Sequence, residues 1–478
     1  MRIIAWPLLI CTVAASAVGD VPDATSDGSP SIAQRYRESA DRILQAALAG
    51  NDAYMKLQEL CDGIGHRLSG SPQLDQAIHW AADTLKADGQ ENVHIEEVMV
   101  PRWVRGAESL VMIQPREATL AMLGLGGSVG TPPQGITAEV VVVRDEDEFE
   151  ALGAGARGKI VLFNNPMPPY DPEQGAGYGT TVRFRSKGAR IASEQGAVAC
   201  LVRSVTAHSL RSPHTGATRY GDAKVMIPAA AISTEDADMI ARLQDRGVAV
   251  IVTLKMQART LEPVESGNVI AELRGSTHPQ EIVVIGGHID SWDVGQGAHD
   301  DGAGCVMAME AINVLRRLNM TPRRTIRVVL WTNEENGLAG ARQYAKDHAD
   351  ELANHVAAIE ADSGGFRPIG YSVECSDDDR LQIAAGQLRD LASLFESIGA
   401  TNIKTGRSGA DLGPMKEAGV VLMGHRMEGS KYFDYHHTHA DTLDKVDPEE
   451  LSQNVAVLAT VAYILADMPE RLGESATR

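Results

Sequence analysis

The residues able to do chemistry crowd into one stretch, "GGHIDSWDVGQGAHDDGAG", Gly286 to Gly304. An apolar run ends in Gly-Gly, then come His288 and Asp290, and a glycine-rich spacer leads to the adjacent Asp300 and Asp301. Asn333-Glu334-Glu335 follows a second apolar run, and Asp362 follows a third. Taken singly, each has a bland explanation: a strand-end turn, a helix cap, a solvated helix start, a loop acid. Together they place carboxylates and an imidazole just past successive strand ends, where open α/β sheets gather their ligands. So many carboxylates stay ionised together only beside cations. Imidazole and carboxylate without thiolate suit zinc, manganese or cobalt better than calcium. At a helix start, Glu334 and Glu335 point in different directions, so one can hold a metal while the other reaches an activated water. A metal lowers the pKa of bound water to about 7 and polarises a carbonyl. A neighbouring carboxylate then carries the proton to the leaving group. The chemistry expected is metal-assisted hydrolysis of an acyl bond.

Positioning these groups takes an alternating scaffold. Continuous apolar runs at 281–287, 325–332 and 355–362 read as buried strands, and the segments 302–319 and 337–352 read as helices. Asp447 and Pro448 open a last helix as cap and first-turn residue. This is an α/β doubly wound pattern. Residues 34–90 read as helical without strands of their own, and are expected to pack on the sheet of the C-terminal half. Between 118 and 260 glycine and proline become frequent and the strands short, which predicts a small β-rich domain inserted into the larger one. The larger domain then comprises 34–117 and 261–470.

At 478 residues the chain exceeds a single ordinary core. A net charge of −20 argues against nucleic acid or an anionic membrane surface as partner. Residues 1–19 read as a secretory signal peptide, with the small-x-small signal Ala15-Ser16-Ala17. Later stretches fall short of the roughly 18 apolar residues that span a bilayer. Export to a secreted or periplasmic location is expected, without stable membrane insertion of the mature chain. Cys61, Cys200, Cys305 and Cys375 are scattered and are given no function, although one or two disulfides are compatible with export.

With "HRLSGS" at 66–71, the segments "WTNEENGLAGARQY", "EADSGG" and "YFDYHHTHADTLDKVD" resemble the successive motifs of the di-zinc aminopeptidase and glutamate carboxypeptidase family. The resemblance spans roughly 34–470 and is strongest to the plasma glutamate carboxypeptidase (carboxypeptidase Q) branch. It implies a zinc-exopeptidase domain with a mixed sheet, and a protease-associated domain as the insert. It implies two Zn2+ per chain. His288 and Asp362 become ligands of one zinc, Asp300 the bridge, Glu335 and His437 the remaining ligands, and Glu334 the general base. His437 is taken over His436 and His439 because it lies four residues before Asp441. Asp290 resembles the carboxylate that orients a metal-bound imidazole. Asp293 and Asp301 are left as loop or cap residues, and His299 is not taken as a ligand. Some relatives carry tyrosine immediately before the last ligand. Here that position is His436, whose N–H would stabilise an oxyanion or whose ring would pack against the sheet edge. The activity implied is that of an aminopeptidase or dipeptidase on short peptides, with carboxypeptidase, acyl-amino-acid hydrolase and glutaminyl cyclase as alternatives. A homodimer fits the resemblance. Arg407 and the segment 208–221 are candidate specificity elements.

Overall fold

The structure is a computed structural model that describes residues 30–475. The expected signal peptide lies outside the described residues. Among those residues, no helix is long and apolar enough to cross a membrane.

The chain builds two eight-stranded sheets. The main sheet comprises β1 (Glu91–Val104), β2 (Arg259–Leu273), β3 (His278–His288), β4 (Arg324–Trp331), β5 (His355–Glu360), β6 (Pro368–Glu374), β7 (Asn402–Thr405) and β8 (Val421–Met427). Their spatial order is β1-β2-β4-β3-β5-β8-β6-β7. The central β4, β3, β5 and β8 are mutually parallel, and antiparallel pairs flank them. All residues of β4 and β5 are buried, as two-sided covering requires of continuous apolar runs. One face carries the helices Ile32–Leu48, Ala303–Arg317, Asp378–Ala392 and Pro448–Asp467, packed into a single apolar cluster with the sheet. The other face buries Trp331 and Val329 against Ala341 and Tyr344 of the helix Ala339–Asp347. The mixed, doubly wound sheet is thus as expected, and the N-terminal helices do pack on it. Residues 34–90 are helical, as expected. β1, which follows that segment, was not foreseen and pairs along most of its length with β2.

The second sheet orders its strands Ala118–Leu120, Glu108–Gln114, Ile251–Met256, Ile136–Val143, Ile160–Phe163, Ala199–Arg203, Ala229–Ile232 and Met122–Gly124. Glu108–Gln114 lies in this sheet although it precedes 118, on the larger-domain side of the expected boundary. The insert carries helices as well as strands, Thr234–Asp245 where the sequence pattern is helical and Arg183–Glu194 where it gave no helix. The helices Arg183–Glu194 and Thr234–Asp245 cover its parallel strands.

Candidate active site

Parallel packing of β4, β3, β5 and β8 brings four strand ends to one edge. His288 ends β3 level with Trp331 at the end of β4. Gly286 pairs with Glu360 at the end of β5. The loops leaving these ends therefore meet: Asp290 after β3, Glu334 and Glu335 after β4, Asp362 after β5, and His436 and His437 beyond β8.

Asp300 lies at the centre. Its Oδ1 is 3.2 Å from His288 Nε2, and its Oδ2 is 3.2 Å from His437 Nε2. His288 Nε2 is also 3.6 Å from Asp362 Oδ1, and His437 Nε2 is 3.1 Å from Glu335 Oε2. Two groups thus share Asp300, one with His288 and Asp362, the other with His437 and Glu335. His288, Asp300 and Glu335 offer ligand atoms all within 4.8 Å of one another. Asp300 Oδ2 and Glu335 Oε1 are buried acceptors without a hydrogen-bond donor. Orphaned oxygens facing ring nitrogens fit a bound cation, and the imidazole–carboxylate set fits zinc.

The surroundings settle which ring nitrogens face inward. His288 Nδ1 donates to the carbonyl oxygen of Asp290 at 3.0 Å, which leaves Nε2 for the centre. The Asp290 carboxylate lies farther from that ring than its own carbonyl does, with Oδ1 3.8 Å from Nδ1. The carboxylate is occupied by the backbone N–H groups of Glu334 and Glu335, at 3.0 and 3.3 Å, and by the Ser69 hydroxyl at 3.3 Å. It thereby fixes the Glu334-Glu335 turn. His437 Nδ1 donates to the Thr215 carbonyl at 3.3 Å. His437 also holds a left-handed backbone, φ 62°, a conformation uncommon outside glycine that clusters at functional sites.

Burial and mutual charge set the protonation. Burial opposes ionisation of Asp300, but His288 and His437 on either side hold it well below the usual carboxylate range. Burial likewise opposes charge on His437, yet Glu335 and Asp300 raise it to about 9. Burial, reinforced by Asp300, pushes Glu335 up to about 7. Burial also pushes Glu334 well up, aided by Asp362 and Glu335 and opposed by His288.

Asp301 is more than a helix-start acid. It is fully buried, its Oδ1 accepts from Gly304 N–H at 3.1 Å, and its Oδ2 accepts from His288 N–H at 3.0 Å. His436 stacks on His437 with ring centroids 3.5 Å apart, among Tyr178, Tyr432 and Phe433. Its Nε2 is 3.8 Å from Asp300 Oδ2. His299 turns away to stack on Phe366. Arg407 is exposed on its loop. Cys61, Cys200, Cys305 and Cys375 are all buried free thiols.

Several contributors were not read from sequence. Arg67 of "HRLSGS" is fully buried and donates to the carbonyls of Gly65, Ile289, Gln296 and Gly297, fixing the loop after β3. Asp441 accepts from the backbone N–H groups of His299 and Asp300 at 2.7 and 3.2 Å. Glu360 accepts from the N–H of Asp411 and Leu412, at 3.1 and 3.3 Å, behind Asp362. Arg185, His214 and Thr215 reach the His437 side from the insert. The motif around Arg67 and the fixed spacing of Asp441 were signals in hand. His214 and Thr215 fall within the segment 208–221 read as a specificity element, whereas Arg185 carried no signal.

Residues 268–462 match peptidase family M28. Carboxypeptidase Q of Mus musculus is 42% identical over 443 residues, covering 92% of each chain. The crystal structure of a peptidase M28 precursor from Shewanella amazonensis SB2B superposes with a TM-score of 0.87 at 36% identity, over 93% of this chain and 99% of that one. BSAP, a zinc aminopeptidase from Bacillus subtilis, shares the fold with a TM-score of 0.63 at 21% identity, over 88% of this chain and 96% of that one. With these motifs at the strand ends and such relatives over nearly its whole length, the chain belongs to peptidase family M28.

Proposed function

We propose that the protein is a zinc exopeptidase that removes residues from the free N-terminus of short peptides, as an aminopeptidase or dipeptidase, with two zinc ions per chain. One observation carries this reading: the two oxygens of Asp300 face two different imidazoles, each backed by a further carboxylate. Such a carboxylate suits a bridge between two ions. When bound, zinc supplies a Lewis acid for the peptide carbonyl and a water of lowered pKa.

The chain's own residues do the rest. His288 and Asp362 would hold one ion, Glu335 and His437 the other. The carbonyls of Asp290 and Thr215 keep both imidazoles turned with Nε2 inward. The Asp290 carboxylate fixes the Glu334-Glu335 backbone, so that Glu335 faces His437. Glu334, half-buried beside it, accepts the proton of the attacking water and returns it to the leaving nitrogen. General-base loss costs roughly 10²–10⁴ in rate. Glu334→Gln is expected to retain its zinc while kcat on a dipeptide falls by about that factor. Full activity in a zinc-loaded Glu334→Gln protein would remove Glu334 from this role. Elemental analysis giving one zinc per active chain would remove the bridge.

A further inference from the structure

His299 precedes Asp300 directly, is fully buried, and turns its ring away from the ligand-type groups. The ring lies parallel to Phe366, 4.3 Å between centroids, and to Tyr435, at 5.6 Å, with interplanar angles of 9° and 7°. An apolar side chain would fill that slot at lower cost, because a buried imidazole needs partners for both nitrogens. This one has them. Nδ1 accepts from the Gly365 N–H at 3.0 Å, and Nε2 donates to the Lys445 carbonyl at 3.2 Å. The two bonds fix a neutral ring in a single tautomer.

Each contact belongs to a segment that carries or supports a ligand-type residue. Gly365 and Phe366 follow Asp362 on the loop after β5. Tyr435 stands just before His436 and His437, and its carbonyl closes their turn by accepting from the Thr438 N–H at 3.1 Å and hydroxyl at 2.7 Å. Lys445 follows Asp441, whose carboxylate holds the backbone N–H groups of His299 and Asp300. The fit leaves no slack. Gly364 has φ 85°, and a Cβ there would lie 3.1 Å from His299 Nδ1; a Cβ at Gly365 would lie 2.9 Å from Val446. The Phe366 carbonyl is tied in turn to Asn454 Nδ2, at 2.7 Å, on the helix Pro448–Asp467. One ring therefore joins the loop of Asp362, the turn of His437 and the backbone of Asp300.

We infer that His299 is a positioning residue that couples the two halves of the metal site. It holds the Asp362 loop and the His437 turn in register on either side of Asp300, so that one carboxylate can serve both. This rests on the two-ion reading above. Without the ring, Asp300 can still join either half, but the halves are no longer placed to share it. The loss then falls on the second ion and not on the first.

The test is zinc titration of metal-free protein against a chromophoric chelator, for wild type, His299→Phe and His299→Asn, with melting temperatures of the metal-free forms alongside. Wild type is expected to take two zinc ions. His299→Phe keeps the flat ring but neither hydrogen bond. It should bind the first zinc as wild type does and the second roughly 10- to 100-fold more weakly, the usual cost of losing a group behind the ligands. His299→Asn should recover part of the second affinity, because its amide oxygen can accept from Gly365 in place of Nδ1, and it carries the titration if His299→Phe does not fold. Paramagnetic resonance of the protein loaded with two cobalt ions supplies a second readout: spin coupling through the shared carboxylate, present in wild type, should weaken in His299→Phe. Equal losses of both zinc affinities, in step with a lowered melting temperature, would show a purely structural role and overturn the inference. An unchanged second affinity with unchanged coupling overturns it as well. A wild type that takes a single zinc refutes the two-ion reading and the inference with it.

Discussion

At the residue scale, the adjacent Asp300 and Asp301 have separate tasks. Asp300 presents both oxygens to imidazoles, whereas both oxygens of Asp301 are taken by backbone N–H groups. Asp300→Ala is expected to lose zinc, read by elemental analysis, because it removes the oxygen shared by both groups. Asp301→Ala should instead destabilise the fold by about 2 kcal/mol, since it strands two buried donors, and should lower zinc affinity only by loosening His288. Denaturant unfolding of the zinc-loaded protein separates the two effects; complete zinc loss with unchanged stability in Asp301→Ala would show the division to be wrong. Sequence made the ligand-type residues legible because each falls directly after an apolar run, where topology alone converges them. It did not reveal what the Asp290 carboxylate does. Its partners are the N–H groups of Glu334 and Glu335, and only the pairing of β3 with β4 brings that turn beside it. Arg185 was illegible for a related reason. A buried cation in an insert looks like a surface residue until the insert is docked.

At the element scale, the strands read from sequence were those buried on both faces. β1 was missed because it runs at the sheet edge with mostly exposed or half-exposed residues, so no continuous apolar run marks it. The insert helix Arg183–Glu194 was missed because its basic side chains mask a narrow apolar stripe. β1 is nevertheless tied to the elements behind the site. Glu96 accepts from His348 Nε2 at 2.8 Å, just past the helix Ala339–Asp347 that follows the Glu334-Glu335 turn. Burial works against the Glu96 carboxylate, but His348 and His94 pull it down to about 2. Burial likewise works against charge on His348, which Glu96 and Glu351 raise. The lowered Glu96 contributes stability that is complete above its ordinary pKa of about 4.3 and fades as the pH falls toward its folded value. The raised His348 contributes stability that is complete below about 6.5 and is lost as the pH rises through its folded value. The destabilisation by Glu96→Gln should therefore be greatest between about pH 4.5 and 6.5, on the order of 1 kcal/mol for a partly solvated pair, and shrink at alkaline pH. Urea midpoints at pH 5.5 and 9 check this; a pH-independent difference would break the linkage.

At the scale of the whole molecule, the second sheet closes the metal end of the first. Trp292 and Val294, from the loop after β3, are buried in the second sheet's apolar cluster. A Cβ at Gly126 would overlap the Trp292 ring, so the insert approaches that loop as closely as backbone allows. Thr215 N–H donates to the His437 carbonyl at 3.0 Å, and the Thr215 carbonyl accepts from the His437 ring. The insert therefore grips both the main chain and the side chain of one ligand-type residue. Removing the metal leaves Asp300, Glu335 and Asp362 to repel one another, and His437 is free to leave its strained backbone. A ligand at a thousandfold excess over its Kd stabilises a fold by about 4.1 kcal/mol, so chelation should lower the melting temperature by several degrees. The loss should be local before it is global. Exchange of the Thr215 amide should quicken on chelation, while the Cys200 amide, bonded to the Pro228 carbonyl at 2.9 Å inside the second sheet, stays protected. Hydrogen exchange read by mass spectrometry over 209–221 and 199–203 tests this directly. A chelated protein that melts earlier with Thr215 still protected would mean that the insert is docked independently of the metal.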